Sequence, residues 1–122
     1  MAKLLIIEDD PFVRRFYEKL FRFKKFDFEI TSDGLDGIIK AKSGKFDLII
    51  LDIVLPKIDG LEVLRRLKQD PQTADINVIM LTNIEDQAVA KKAAQLGAIG
   101  FIIKSSVEPE KLPEKISEFL NK

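Results

Sequence analysis

The sequence predicts an α/β sandwich, a parallel sheet with helices on both faces, and three observations predict it. Short aliphatic runs recur five times, at residues 3 to 7, 28 to 31, 47 to 51, 77 to 81 and 100 to 104, each too short for a helix. Longer segments with apolar residues at helical spacing lie between them. The runs hardly alternate with polar residues, which is how strands read when both of their faces are covered.

The elements follow in order. "KLLII" is the first strand, and Asp10-Pro11 then opens a helix with a capping carboxylate and a proline suited to the first turn. In that helix Phe12, Phe16, Leu20 and Phe23 recur at helical spacing and are expected to face the core. "FEIT" is the second strand and "DLIIL" the third. The third helix carries Leu61, Leu64 and Leu67 and stops at Pro71. "NVIML" is the fourth strand, and the helix "AVAKKAAQL" is closed by Gly97. "GFIIK" is the fifth. Pro109 and Pro113 compete for one first-turn position, so the last helix is placed from about Glu110 onward. Phenylalanines elsewhere read as core or helix-layer packing. No repeat, linker or low-complexity stretch divides the chain, so residues 1–122 are expected to form a single domain with no output domain attached.

Composition narrows the chemistry. Twenty basic and twenty acidic residues cancel, so the molecule as a whole offers no field for a nucleic-acid backbone. The basic, aromatic stretch "RRFYEKLFRFKK" invites an RNA reading, yet its charges fall between helically spaced apolar residues, as on a solvated helix face; no nucleic-acid partner is expected. Without cysteine or histidine, thiolate ligands, disulfides and the commonest general base are excluded, and oxygen chemistry remains. No run is long enough to span a bilayer and no cleavable leader is evident, so a cytoplasmic protein without a membrane partner is expected.

In an open parallel sheet, ligands bind beyond the carboxyl ends of the strands. Glu8, Asp9 and Asp10 end the first run, Asp52 follows the third, Thr82 the fourth, and Lys104 ends the fifth. Asp10 is accounted for as the helix cap. The other acids would share one rim, where two carboxylates about 4 Å apart repel by roughly 4 kcal/mol at an effective dielectric of 20. One lysine cannot balance them. A small hard cation such as Mg2+ can, and beside a phosphoryl group it prefers an all-oxygen site. With a lysine, a hydroxyl and an aspartate nucleophile added, the set fits a site that forms an acyl phosphate.

Taken together, "IIEDDP", "LIILDIVLPKIDG", "VIMLTN" and "GAIGFIIK", in this order, resemble the receiver domains of two-component response regulators. The resemblance covers essentially the whole chain. It implies a flavodoxin-like, chemotaxis-regulator-like fold with strand order 2-1-3-4-5. It also implies a receiver that is phosphorylated on Asp52, catalysing its own phosphorylation and dephosphorylation. Asp9, Asp52 and the carbonyl of Val54 would ligate Mg2+, with Glu8 acting through a bound water. Lys104 would bond first the carboxylate and then the phosphoryl group, Thr82 would swing toward the phosphoryl oxygen, and Phe101 would follow it inward. The backbone N–H groups of Val54 and Asn83 would complete the cradle. The implied partners are a histidine kinase or histidine phosphotransfer protein as donor and a downstream protein as target, and a phosphorylation-dependent dimer is left open.

The pattern departs from the family at four places, one of them Asn83, which stands where a small residue is commoner after the threonine. Ser105 stands where a proline with a cis bond usually follows the lysine, and a non-proline cis bond costs several kcal/mol. Val54 and Ile84 flank the acceptor with aliphatic bulk, which implies slow loss of the phosphoryl group. Three other classes compete with this reading. A domain that binds its partner regardless of phosphate is made thinkable by the missing proline. A magnesium-dependent phosphatase would want a second aspartate two positions after the nucleophile, where Val54 stands, and a nucleotide or flavin binder would want glycines where "EDDPF" has none.

Overall fold

The computed structural model describes residues 2–120. Its strands are β1 (Lys3–Ile7), β2 (Asp27–Thr31), β3 (Leu48–Leu51), β4 (Asn77–Thr82) and β5 (Gly100–Ile103), and its helices are α1 (Pro11–Phe23), α2 (Gly34–Ser43), α3 (Gly60–Gln69), α4 (Gln87–Gln95) and α5 (Leu112–Leu120). The five strands form one sheet in the order β2-β1-β3-β4-β5, and every pairing is parallel.

The aliphatic runs explain the layers. All four residues of β3 are buried, as are Leu4 to Ile7 of β1, so neither face of the central strands can be left to water. Successive side chains alternate between faces. Leu5, Ile7, Ile49, Leu51 and Met80 enter a core with α2, α3 and α4, whereas Leu4, Ile6, Leu48, Ile50 and Leu81 enter a second core with α1 and α5. Each fully buried Leu or Ile contributes about 1.5–3 kcal/mol, so these strands hold most of the driving force.

Capping sets the helix starts. Asp10 Oδ1 accepts from the N–H groups of Phe12 and Val13, Asp33 from Asp36, Asp59 from Glu62 and Asp86 from Ala88. Such caps typically contribute about 1 kcal/mol each. Gly97 closes α4 with φ 111°, a conformation that a Cβ would oppose.

Three expectations are corrected. The buried stripe of α1 is Tyr17 and Phe21, supported by Val13 and Leu20; Phe12, Phe16 and Phe23 are exposed. The ring of Phe21 stands edge-on to Tyr17 and Phe26 and tilted to Phe28, which fixes the rotation of the helix. The last helix begins at Leu112 rather than Glu110, because Pro109 opens a separate 3-10 turn (Pro109–Lys111) and Pro113 then falls in the first turn of α5; each proline has its own start. Lys104 lies beyond β5, at the head of a 3-10 turn (Lys104–Ser106), and no peptide bond among the described residues is cis. Ser105 therefore continues the chain without the strained bond.

Candidate functional site

Register brings the strand ends together. Ile7 pairs with Leu51, so Glu8 and Asp52 leave neighbouring strands at one level, and the Asp52 N–H donates back to Ile7 O at 3.3 Å. Thr82 pairs with Ile103, which sets Lys104 just past the sheet on the other side of Asp52. The Lys104 ammonium donates to Glu8 Oε1 at 2.6 Å and to Asp52 Oδ2 at 2.9 Å. Glu8, Asp9 and Asp52 each place one carboxylate oxygen within 4.8 Å of the others. Acids and a base nearly a hundred residues apart in the chain thus converge on one rim.

Burial raises the electrostatic stakes. Glu8 is 2 % exposed and Asp52 8 %. Burial pushes the Glu8 carboxyl above its ordinary value, against the bonds from Lys104 and the Asp10 N–H that pull it down. Burial also pulls Lys104 downward, but its bonds to Glu8 and Asp52 together outweigh that and hold the ammonium above the usual lysine range. Beneath it Tyr17 is pushed up to about 12, chiefly by burial. Three carboxylates against one ammonium leave residual negative charge, and an all-oxygen donor set of that charge fits a small hard cation. These residues could hold a metal ion.

Other groups frame the cluster. The Val54 N–H donates to Asp52 Oδ1 at 3.3 Å, while the Val54 side chain is 63 % exposed. Thr82 is buried, and its hydroxyl accepts from the Ile84 N–H at 3.4 Å; among the described residues it makes no bond to Asp52. Asn83 is exposed on the loop that follows. Phe101 is half-buried and packs into the core on the α4 side, the side that Met80, its partner in register, also enters.

Sequence reasoning missed two supports. Arg14 Nη1 donates to Asp9 O at 2.5 Å and Glu8 O at 3.3 Å, pinning the acidic turn from α1. Gly60 donates to Ile53 O at 2.7 Å and lies against the backbone of Asp52. An arginine four residues after a helix cap carries no signal of its own, and a glycine at a helix start reads as ordinary punctuation.

The sequence pattern of the response regulator receiver domain matches residues 4–117. The response regulator ArlR of Staphylococcus saprophyticus is 36 % identical over 104 residues, covering 85 % of this chain and 46 % of that protein. The chain therefore spans about half the length of this relative. Among solved structures, a CheY-like receiver domain protein from Methanospirillum hungatei superposes with a TM-score of 0.89 at 27 % identity, covering 99 % of this chain and 94 % of the other. The receiver domain of the sensor histidine kinase PA1611 from Pseudomonas aeruginosa superposes at 0.87 and 21 % identity, covering 99 % and 98 %; a magnesium ion is coordinated in its active-site cleft. At that identity the likeness is one of fold. Among the described residues, no helix is long and apolar enough to cross a membrane.

Proposed function

Because the chain belongs to the family of response regulator receiver domains, we propose that Asp52 is the side chain that accepts the phosphoryl group. The observation that carries this is the shared ammonium: Lys104 holds Oδ2 of a buried Asp52 while two further carboxylates face the same space. With Oδ2 engaged, Oδ1 keeps lone pairs to attack phosphorus as the bond to the donor nitrogen breaks and the donor imidazole leaves. Residues 1–122 contain no histidine, so the donor histidine lies outside them, in a histidine kinase or a histidine phosphotransfer protein.

Glu8, Asp9, Asp52 and the carbonyl of Val54 would hold Mg2+, which when bound supplies charge neutralisation for the transferred group. The protein's own residues do the rest. Lys104 shifts one bond to a phosphoryl oxygen, and the N–H groups of Val54 and Asn83 cradle the others. Thr82 turns inward and Phe101 follows, biasing the surface on the α4 side toward a form read by a downstream protein.

Incubation with magnesium and a small acyl or amido phosphodonor, followed by intact mass, should show one added phosphoryl group, absent in Asp52→Asn. No addition to the wild-type protein would overturn the proposal. The exposed Val54 and partly exposed Ile84 crowd the direction from which water would reach the acyl phosphate. Val54→Asn and Ile84→Glu should each speed the decay of the phosphorylated form several-fold, and an unchanged decay rate removes the shielding role.

A further inference from the structure

A cavity beside Lys104 has a chemistry that phosphoryl transfer does not use. It holds about 290 Å³ between α1 and the segment that carries the two 3-10 turns into α5. Val13, Leu81, Val107 and Leu112 line it with aliphatic surface, and the exposed rings of Phe12 and Phe16 stand at its rim. Among its lining side chains only Tyr17 and Lys104 are polar.

Tyr17 is the anomaly. It is 5 % exposed, yet its hydroxyl makes no hydrogen bond with any described residue. Its ring is held between Phe16 and Phe21, with centroids at 6.1 and 5.9 Å, so the hydroxyl is not free to swing toward a partner. It feels the charges of Lys104, Glu8 and Asp52, which places it at the Lys104 end of the cavity. A buried tyrosine hydroxyl normally finds a partner, and a phenylalanine would fill the same space without needing one.

The lining groups select the occupant. Burial pushes Tyr17 up to about 12, so its hydroxyl keeps its proton and can donate, while Lys104 has donors and no acceptor. The ligand therefore brings an acceptor oxygen. A carboxylate does not suit: Glu8, Asp9 and Asp52 oppose a single ammonium just beyond the wall, and a divalent ion would only bring that cluster to neutrality. The side chains that a protein partner could insert suit it less well. Leucine or phenylalanine would leave the hydroxyl unpaired, and asparagine or glutamine would set two N–H donors against apolar walls. Size narrows the choice further, because the volume lies at the small end of ligand cavities, roughly 300–1,000 Å³, with room for one ring rather than a nucleotide. Phe12 and Phe16 at the rim favour an aromatic ring, which can pack edge-on or offset against theirs.

We propose that this cavity binds a small neutral molecule, a single aromatic ring carrying one acceptor oxygen as in an aromatic ketone, which takes the hydrogen bond of the Tyr17 hydroxyl. The site stands whether or not Asp52 accepts a phosphoryl group, and no phosphodonor enters its test.

Acetophenone is the probe, with ethylbenzene as its match in shape without the oxygen and benzoate as its anionic counterpart. Titrated into the isotope-labelled full chain, acetophenone should give saturable shifts and intermolecular NOEs at the methyl groups of Val13, Val107 and Leu112. It should bind about fivefold more tightly than ethylbenzene, the usual effect of one net hydrogen bond, and benzoate should not bind. Tyr17→Phe should abolish that preference while leaving the ethylbenzene affinity and the circular dichroism unchanged. Val107→Trp, which fills the cavity, should abolish binding of both. The site is overturned if acetophenone gives no saturable shift, if ethylbenzene or benzoate binds the wild type as well, if Tyr17→Phe keeps the preference, if Val107→Trp binds normally, or if the NOEs fall on another surface. Shifts of the same methyl groups on raising the protein concentration alone would mean that a second copy covers the slot, and would overturn it too.

Discussion

Gly60→Ala lowers the melting temperature by roughly 10 °C and removes most phosphoryl uptake at once. A Cβ on Gly60 would stand 2.0 Å from the carbonyl oxygen of Asp52 and 2.7 Å from Cα of Ile53. Both obstacles are backbone, so neither can be relieved by turning a side chain. Two ways out exist, and each does harm. If α3 retreats, it lifts Val63, Leu64 and Leu67 from the core and breaks the 2.7 Å bond from Gly60 to Ile53 O. If instead the loop after β3 retreats, the Asp52 carboxylate leaves Lys104. Overpacking of this kind costs about 3 kcal/mol, at the top of the usual range because the contact is rigid, and for a chain of this size that is roughly 10 °C. Thermal unfolding of the variant beside its phosphoryl uptake measures both effects. A melting temperature within about 2 °C of wild type would show that α3 is not seated on the backbone of Asp52 and Ile53.

How far the sequence could have told this is uneven, and the reasons are physical. The strands were legible because Leu4 to Ile7 and Leu48 to Leu51 are buried on both faces, and burial on both faces leaves an uninterrupted aliphatic run. The meeting of Glu8, Asp9, Asp52 and Lys104 was legible for a related reason: a parallel sheet puts every strand's carboxyl end on one edge, so a charge that follows an aliphatic run has a known address. The face of α1 was not legible. Its sequence offers two apolar stripes, Phe12, Phe16 and Phe23 on one and Val13, Tyr17 and Phe21 on the other, and both satisfy helical spacing. Only the stacking of Phe21 with Phe26 and Phe28, made after the chain has turned back into β2, selects the second. The start of α5 was lost to a competition between Pro109 and Pro113 that a 3-10 turn resolves, and such turns leave little trace in periodicity. The bond from Lys104 to Glu8 was hidden too. The resemblance assigned the lysine to Asp52 alone, and which of two adjacent acids a long side chain also reaches depends on coordinates.

That bond makes Lys104→Met the second large effect, and gives it a pH signature. Removing the ammonium takes away the bond and the charge with which Lys104 restrains Glu8 while leaving its burial, the nearby charge of Asp52 and the weaker bond from the Asp10 N–H, so the Glu8 carboxyl rises further. An unpaired buried charge costs roughly 3–5 kcal/mol when fully enclosed. Lys104 is 20 % exposed at its side chain, so a loss of about 2 kcal/mol at neutral pH is expected. The sign follows from linkage. A carboxyl whose folded pKa lies above its unfolded value is most favourable to the fold when protonated, below the unfolded value near 4.5, and that favour is lost as pH rises through the folded value. The wild-type lysine, held above 10.5, adds stability that persists through neutrality and fades only in alkali. The difference between wild type and variant should therefore be large at pH 7 to 8 and shrink as pH falls toward 5, whereas loss of a simple packing contact would be flat. Phosphoryl uptake should fall by about 10²-fold, the usual effect of deleting one donor to a developing charge. Denaturant unfolding across this pH range, with Lys104→Arg as the charge-retaining control, separates the two accounts. A pH-independent deficit shared by both variants would mean that Lys104 acts through its stem, and that Glu8 does not depend on its charge.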